Sequence, residues 1–254
     1  MLRTNRLKLR LGAGLPVYGL LSCIPTPLMV EMIGYAGYDF VIIDMEHVGV
    51  DAQTLEDMIR AAEGCSLTPL VRLPGVDPKV IMRTLDAGAQ GVVVPCIQSA
   101  SQAREVVAAS RYYPEGSRGI SGGRTTGFGT LDLKDYMALA NSEIMVALMI
   151  EDTAGVDNIE AIVATPGVDM ILEGAIDLSQ SLGVPAQPHH ASVQSALRDV
   201  AAACAVHRIP FCAMPRKSGQ HAAWSASGVT AFVLGDDRGL SFRSLQARLV
   251  DSKE

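Results

Sequence analysis

In the stretch DFVIIDMEHVG, residues 39–49, an apolar run over Phe40 to Ile43 ends in Asp44, Glu46 and His47. A buried strand that runs out into three ionisable side chains puts acid–base groups where the chain leaves the core. Histidine ordinarily titrates near neutral pH, which makes His47 a candidate general base. Asp44 and Glu46 could each accept the second ring N–H and orient the imidazole; Asp44 is the favoured orienter, and Glu46 has no other assigned role. Arg72, in the run PLVRL, could grip a substrate carboxylate through two parallel N–H donors. Glu151 closes the run IMVALMIE, and Asp177 follows VDMILEG by three residues. Carboxylates held close repel one another unless a shared proton or a cation intervenes. Oxygen ligands suit a hard divalent cation such as Mg2+ or Mn2+, with open positions left for water and substrate.

Each of these residues has a plain alternative, because strands must exit the core and helices favour an Asp or Ser cap. That reading serves for Asp51 or Asp236 taken singly. It does not easily cover His47, Arg72, Glu151 and Asp177 together. The other histidines read as structural or exposed: His189 and His190 in a loop before a helix, His207 near a helix end, His221 within a helical stretch.

Placing those four residues at one spot requires an architecture that brings strand ends together. Eight short apolar runs recur: 17–23, 39–44, 69–73, 91–96, 144–151, 168–174, 209–214 and 230–235. They are rich in Val and Ile and apolar on both faces, as in a parallel sheet covered by helices. Segments of helical period lie between them. DAQTLEDMIRAAEG carries Leu55, Met58, Ile59 and Ala62 on one face, with Asp51 as expected N-cap and Gly64 as expected C-cap. SASQAREVVAASRYY, capped by Ser99 or Ser101, and VQSALRDVAAACAVH read likewise. Eight βα alternations in 254 residues predict one α/β domain over residues 1–254, a (β/α)8 TIM barrel whose active site lies at the C-terminal ends of the strands. A doubly wound open sheet is the alternative, but no GxGxxG opens a helix after the first strand. The glycine-rich segment 112–132 is a long loop, and loops of this kind are usually functional or mobile.

Net charge is −6, with no basic patch or tail, which argues against a nucleic-acid partner. The five cysteines are widely spread and form no CxxC pair, as expected of free thiols in a reducing cytoplasm. The basic start MLRTNRLKLRLGAG lacks the long apolar stretch of a signal peptide. No run reaches the ~18 apolar residues of a membrane span, so a soluble cytoplasmic protein is expected.

These residues give the chain a resemblance to the HpcH/HpaI aldolase family of metal-dependent class II pyruvate aldolases. It is carried by IDMEH (43–47), LVRLPGVDPKVIMRTLDAGAQGVVVP (70–95), SRYYPEGSRG (110–119), IEDTAGVDNIEAI (150–162) and DLSQSLG (177–183), across nearly the whole chain. The resemblance implies a (β/α)8 barrel, assembled as a hexamer by exchange of the last helix. It implies Mg2+, Mn2+ or Co2+ held by Glu151 and Asp177, with His47 as base supported by Asp44. It further implies that Arg72 and the backbone at Gly174 and Ala175 hold the carboxylate of a 2-oxo acid, and that the cation is a Lewis acid for an enolate.

Three departures stand out. Met149 replaces the family's usual Gln, GAID (174–177) replaces its usual GPAD, and the loop 118–129 differs. The loop resembles that of a branch of citrate synthases in staphyloferrin-B-type siderophore pathways, which condense oxaloacetate with acetyl-CoA. On that reading Arg124 could bind a second carboxylate. The expectation is therefore an aldolase for 2-oxo-4-hydroxy acids, with the citrate synthase as the alternative enzyme and a non-catalytic 2-oxo acid binding protein as the alternative of another class.

Overall fold

The computed structural model describes residues 2–253. Eight strands close into a barrel in chain order, and every neighbouring pair is parallel. They are β1 (Val17–Ser22), β2 (Phe40–Asp44), β3 (Thr68–Arg72), β4 (Gly91–Val94), β5 (Met145–Ile150), β6 (Met170–Glu173), β7 (Phe211–Ala213) and β8 (Ala231–Asp236). Each coincides with one apolar run of the sequence to within two residues at either end.

The runs are apolar on both faces because the barrel buries both. Phe40, Ile42, Leu70, Val93, Met145 and Ala147 fill the interior. Val41, Ile43, Val71, Val92, Val146 and Leu148 face the helices. Side chains alternate along a strand, so the interior rows, continued two residues, reach the mouth. Beyond Ile42 comes Asp44, beyond Leu70 comes Arg72, and beyond Met149 comes Glu151. The sheet register pairs Asp44 directly with Arg72.

The helices in order are α1 (Arg6–Gly12), α2 (Pro27–Tyr35), α3 (Ala52–Gly64), α4 (Pro78–Asp86), α5 (Ala100–Ser110), α6 (Leu133–Glu143), α7 (Thr153–Asp157), α8 (Ile159–Val163), α9 (Ala175–Ser181), α10 (Ala191–His207), α11 (Gln220–Ala226) and α12 (Asp237–Asp251). Helix α1 packs Leu7 into the interior core. Asp51 caps α3 by accepting from Gln53 and Thr54 N–H, and Ser99 rather than Ser101 caps α5. Gly64 remains inside α3, and Cys65 is the C-cap.

The long loop has the extent its composition predicts, running from the end of α5 to Asp132, the N-cap of α6. It is tied down. Arg118, with its side chain fully out of solvent, pairs with Asp86 at 2.7 Å and lies over the Tyr112 ring. A 3-10 turn spans Arg124–Thr126. Helix α12 differs from the others. Only its first residue, Asp237, is buried, and Phe242, Leu245 and Leu249 are exposed. Among the described residues no helix is long and apolar enough to cross a membrane.

Candidate active site

A cavity of about 470 Å3 opens at the C-terminal end of the barrel, lined by Glu46, His47, Cys96, Glu151, Asp177 and Gln180 among others. Four elements converge there: the β2–α3 loop, the β4–α5 corner, the end of β5 and the first turns of α9.

Arg72 sits beside this cavity, 8% exposed. Its Nε donates to Asp44 Oδ1 at 2.9 Å, and its Nη2 lies 2.9 Å from Asp44 Oδ2. Asp44 also accepts from the backbone N–H groups of Glu46 and His47. Burial alone would raise the Asp44 pKa; the Arg72 fork and the two N–H groups outweigh it and hold the carboxyl below the usual aspartate range. Both Asp44 oxygens are thereby engaged, and neither reaches the imidazole. The expectation that Asp44 orients His47 by a side-chain contact is corrected. Asp44 anchors Arg72 and shapes the His47 backbone, and the carboxylate near the ring is Glu46, with Oε2 3.8 Å from His47 Nε2.

Glu46, left without a role by the sequence, bridges the site. Its Oε2 is out of solvent without a well-aligned hydrogen bond, 3.1 Å from Arg72 Nη1. Burial raises its pKa, Arg72 opposes that, and the charge of Glu151 adds to the rise. All three guanidinium nitrogens of Arg72 thus face a carboxylate, Nε and Nη2 on Asp44 and Nη1 on Glu46.

Glu151 is 5% exposed, and one oxygen accepts from Cys96 N–H at 2.7 Å. Burial pushes its pKa up; the Cys96 hydrogen bonds pull against this, and the charge of Asp177 adds to the rise. Asp177 lies in the first turn of α9, whose N-cap Gly174 offers no side-chain cap. Gly174 is required where it stands, because a Cβ there would meet Glu151 Cβ at 2.3 Å and Oε2 at 2.6 Å. Carboxylates that line one cavity, Glu46, Glu151 and Asp177, are the donor set of a hard divalent cation, and the residues present fit one. Cys96 was visible in the sequence only as a thiol at a run's end. Its thiol, Glu46 and Glu151 have ligand-type atoms within 4.8 Å of one another, and burial followed by the charge of Glu151 pushes the thiol up to about 12.

Arg124 is not brought to this cavity. Its guanidinium donates to both oxygens of Glu63 at 2.9 and 2.7 Å and to Ala87 O, with Gly88 leaving room for it. It lines a larger cavity of about 670 Å3 between α3 and α4. Its acidic side chains are paired, Glu56 with Arg60 and Asp86 with Arg118. Three of the other four histidines have structural partners. His190 caps α10, His207 pairs with Glu160, and His221 stacks against Tyr18 and Phe232. Met149, at the family's usual Gln position, belongs to the interior core. Glu173 is buried beside Met214 N–H and Arg216, so it ties down the loop after β7.

A closed parallel barrel whose C-terminal mouth gathers carboxylates, a histidine and a clamped arginine is the scaffold of a barrel enzyme. The model of the HpcH/HpaI aldolase/citrate lyase family matches residues 18–237. A 5-keto-4-deoxy-D-glucarate aldolase of Klebsiella pneumoniae is 36% identical, over 98% of this chain and 96% of that one. The crystal structure of the citrate synthase SbnG superposes with a TM-score of 0.91 at 44% identity, covering 97% of each chain. A family member from Burkholderia cenocepacia gives a TM-score of 0.93 at 32% identity, covering 99% of this chain and all of that one. The chain belongs to the HpcH/HpaI aldolase/citrate lyase family, and it is an enzyme of the class II aldolase type, a carbon–carbon lyase.

Proposed function

We propose that the chain cleaves or forms 2-oxo-4-hydroxy acids through an enolate generated at the mouth beside His47, Arg72, Glu151 and Asp177. The carrying observation is that Glu46, His47, Glu151 and Asp177 line one cavity beside Arg72. Glu151 and Asp177 would hold a divalent cation, Mg2+, Mn2+ or Co2+, which supplies Lewis-acid polarisation of a 2-oxo group. Arg72, whose Nη1 would turn from Glu46 to the substrate, and the backbone at Gly174 and Ala175 bind and orient the substrate carboxylate; there the Gly174 N–H is held by Ile150 O, so the donor is the Ala175 N–H. In cleavage His47 takes the proton of the C4 hydroxyl. The C3–C4 electron pair moves into the 2-oxo acid as the aldehyde departs, and C3 then takes a proton to give pyruvate or a related 2-oxo acid. Glu46 faces the imidazolium that forms and stabilises it.

The 44% identity to a citrate synthase favours a second reading, condensation of oxaloacetate with acetyl-CoA for siderophore assembly. The original support from Arg124 is weakened by its pairing with Glu63. Parallel assays separate the two. Pyruvate with short aldehydes and Mg2+ or Mn2+ should yield aldol products. Citrate and free thiol from oxaloacetate and acetyl-CoA, without aldol products, would replace the aldolase with the synthase. Absence of all turnover would favour a binding protein. We also infer a homo-oligomer, a hexamer on the family pattern: α12 exposes Phe242, Leu245 and Leu249, and α2 exposes Leu28, Met32 and Tyr35, two apolar stripes that a second copy can cover.

A further inference from the structure

Strand β4 stops at Val94, opposite Leu148 of β5, and the chain rejoins β5 where Ile97 N–H donates to Met149 O at 3.2 Å. Leu148 and Met149 are adjacent, whereas Pro95 and Cys96 intervene between Val94 and Ile97, so these two residues bulge over the mouth. Cys96 adopts a left-handed backbone, φ +55°, which costs any residue with a Cβ. The kink turns its N–H onto Glu151 Oε1 at 2.7 Å. The other oxygen, Oε2, lies on the Gly174 side, where a Cβ would crowd it at 2.6 Å. One Glu151 oxygen is thus consumed by a backbone donor, and the carboxylate is wedged between that donor and a glycine.

We propose that Cys96 is a positioning residue that acts through its left-handed backbone, fixing Glu151 so that Oε2 is presented to the cation, while its thiol is not a ligand. This rests on the proposed cation site at Glu151 and Asp177. The thiol is exposed and near enough to both Glu46 and Glu151 that direct ligation is the rival. Substitution separates backbone from thiol. Serine removes the soft sulfur and keeps a similar backbone preference. Glycine removes the side chain and is at ease at positive φ. Valine is β-branched and resists the left-handed region.

The test is direct Mn2+ binding, by calorimetry and electron paramagnetic resonance, to the full-length protein and its Cys96→Ser, Cys96→Gly, Cys96→Val and Glu151→Gln variants. Cys96→Ser and Cys96→Gly should keep the affinity within about twofold, because the N–H donor is retained. Cys96→Val should lose about tenfold or more as the corner relaxes away from Glu151. A loss in Cys96→Ser and Cys96→Gly, together with a thiolate-to-cobalt charge-transfer band in wild-type protein loaded with Co2+ and absent from Cys96→Ser, would overturn the proposal by making the thiol a ligand. Wild-type affinity in a folded Cys96→Val would overturn it too; should that variant not fold, Cys96→Thr, also β-branched and so also resisting positive φ, is read in its place with the same expected loss. Glu151→Gln distinguishes the underlying reading: if it binds Mn2+ as tightly as wild type, the cation site itself is misplaced, whatever the corner does.

Discussion

His47 carries its ring at the rim, with the side chain 62% exposed and Glu46 as its nearest carboxylate. Removing the ring should cost the fold little and the chemistry much. His47→Ala is expected to lower kcat by about 10²–10⁴-fold with an unchanged thermal midpoint; near-wild-type turnover would place the base elsewhere. Asp44 behaves differently because it is buried under Arg72. A carboxyl held below its ordinary range stabilises the fold above its unfolded pKa of about 3.9. That contribution is lost as pH falls through the lowered value. Asp44→Asn should therefore flatten the acid limb of a stability–pH profile measured by thermal melts. It should also cost about 3 kcal/mol at neutral pH, since Arg72 stays buried with only Glu46 beside it. An unchanged acid limb would show that Asp44 does not carry that dependence. Residue identities were legible in the sequence because strand ends concentrate at a barrel mouth. Partnerships were not: Asp44 is three residues from His47 in sequence, yet the register of β2 against β3 commits it to Arg72.

The eight strands and their parallel order could be read from the apolar runs, because a strand buried on both faces leaves a continuous hydrophobic signal. The C-terminal end of β4 and the anchoring of the loop 112–132 could not. Pro95 and Cys96 extend the run GVVVPC beyond the ladder, and a left-handed corner has no periodic signature. The glycines of 112–132 mark a loop that is usually functional or mobile, but the long-range pairs that hold it, Arg118 with Asp86 and Arg124 with Glu63, leave no signal in the sequence. Arg124→Gln should speed amide exchange across residues 118–129 while leaving KM for the 2-oxo acid within about twofold; a large rise in KM with unchanged exchange would restore Arg124 to the substrate. Close packing between elements makes the opposite prediction for Gly174. Gly174→Ala should displace Glu151 and weaken Mg2+ binding measured by calorimetry at least about tenfold, given a contact of this severity; unaltered binding would mean that Glu151 has room the geometry denies.

The barrel leaves α12 projecting, with Phe242, Leu245 and Leu249 spaced to form one face. In the proposed homo-oligomer this is the face a second copy would cover. If that proposal holds, Leu245→Asp reduces the species seen in analytical ultracentrifugation to smaller ones, and an unchanged sedimentation profile would contradict a role for α12 in assembly. The catalytic account stands or falls on enolate formation at the barrel mouth, which can be observed without knowing the natural aldehyde. Protein freed of metal and then supplied with Mg2+ is incubated with pyruvate in D2O, and loss of the methyl proton signal is followed by NMR. Exchange should require Mg2+, vanish in Glu151→Gln and slow at least about a hundredfold in His47→Ala. Equal exchange in the chelated protein or in Glu151→Gln would contradict it.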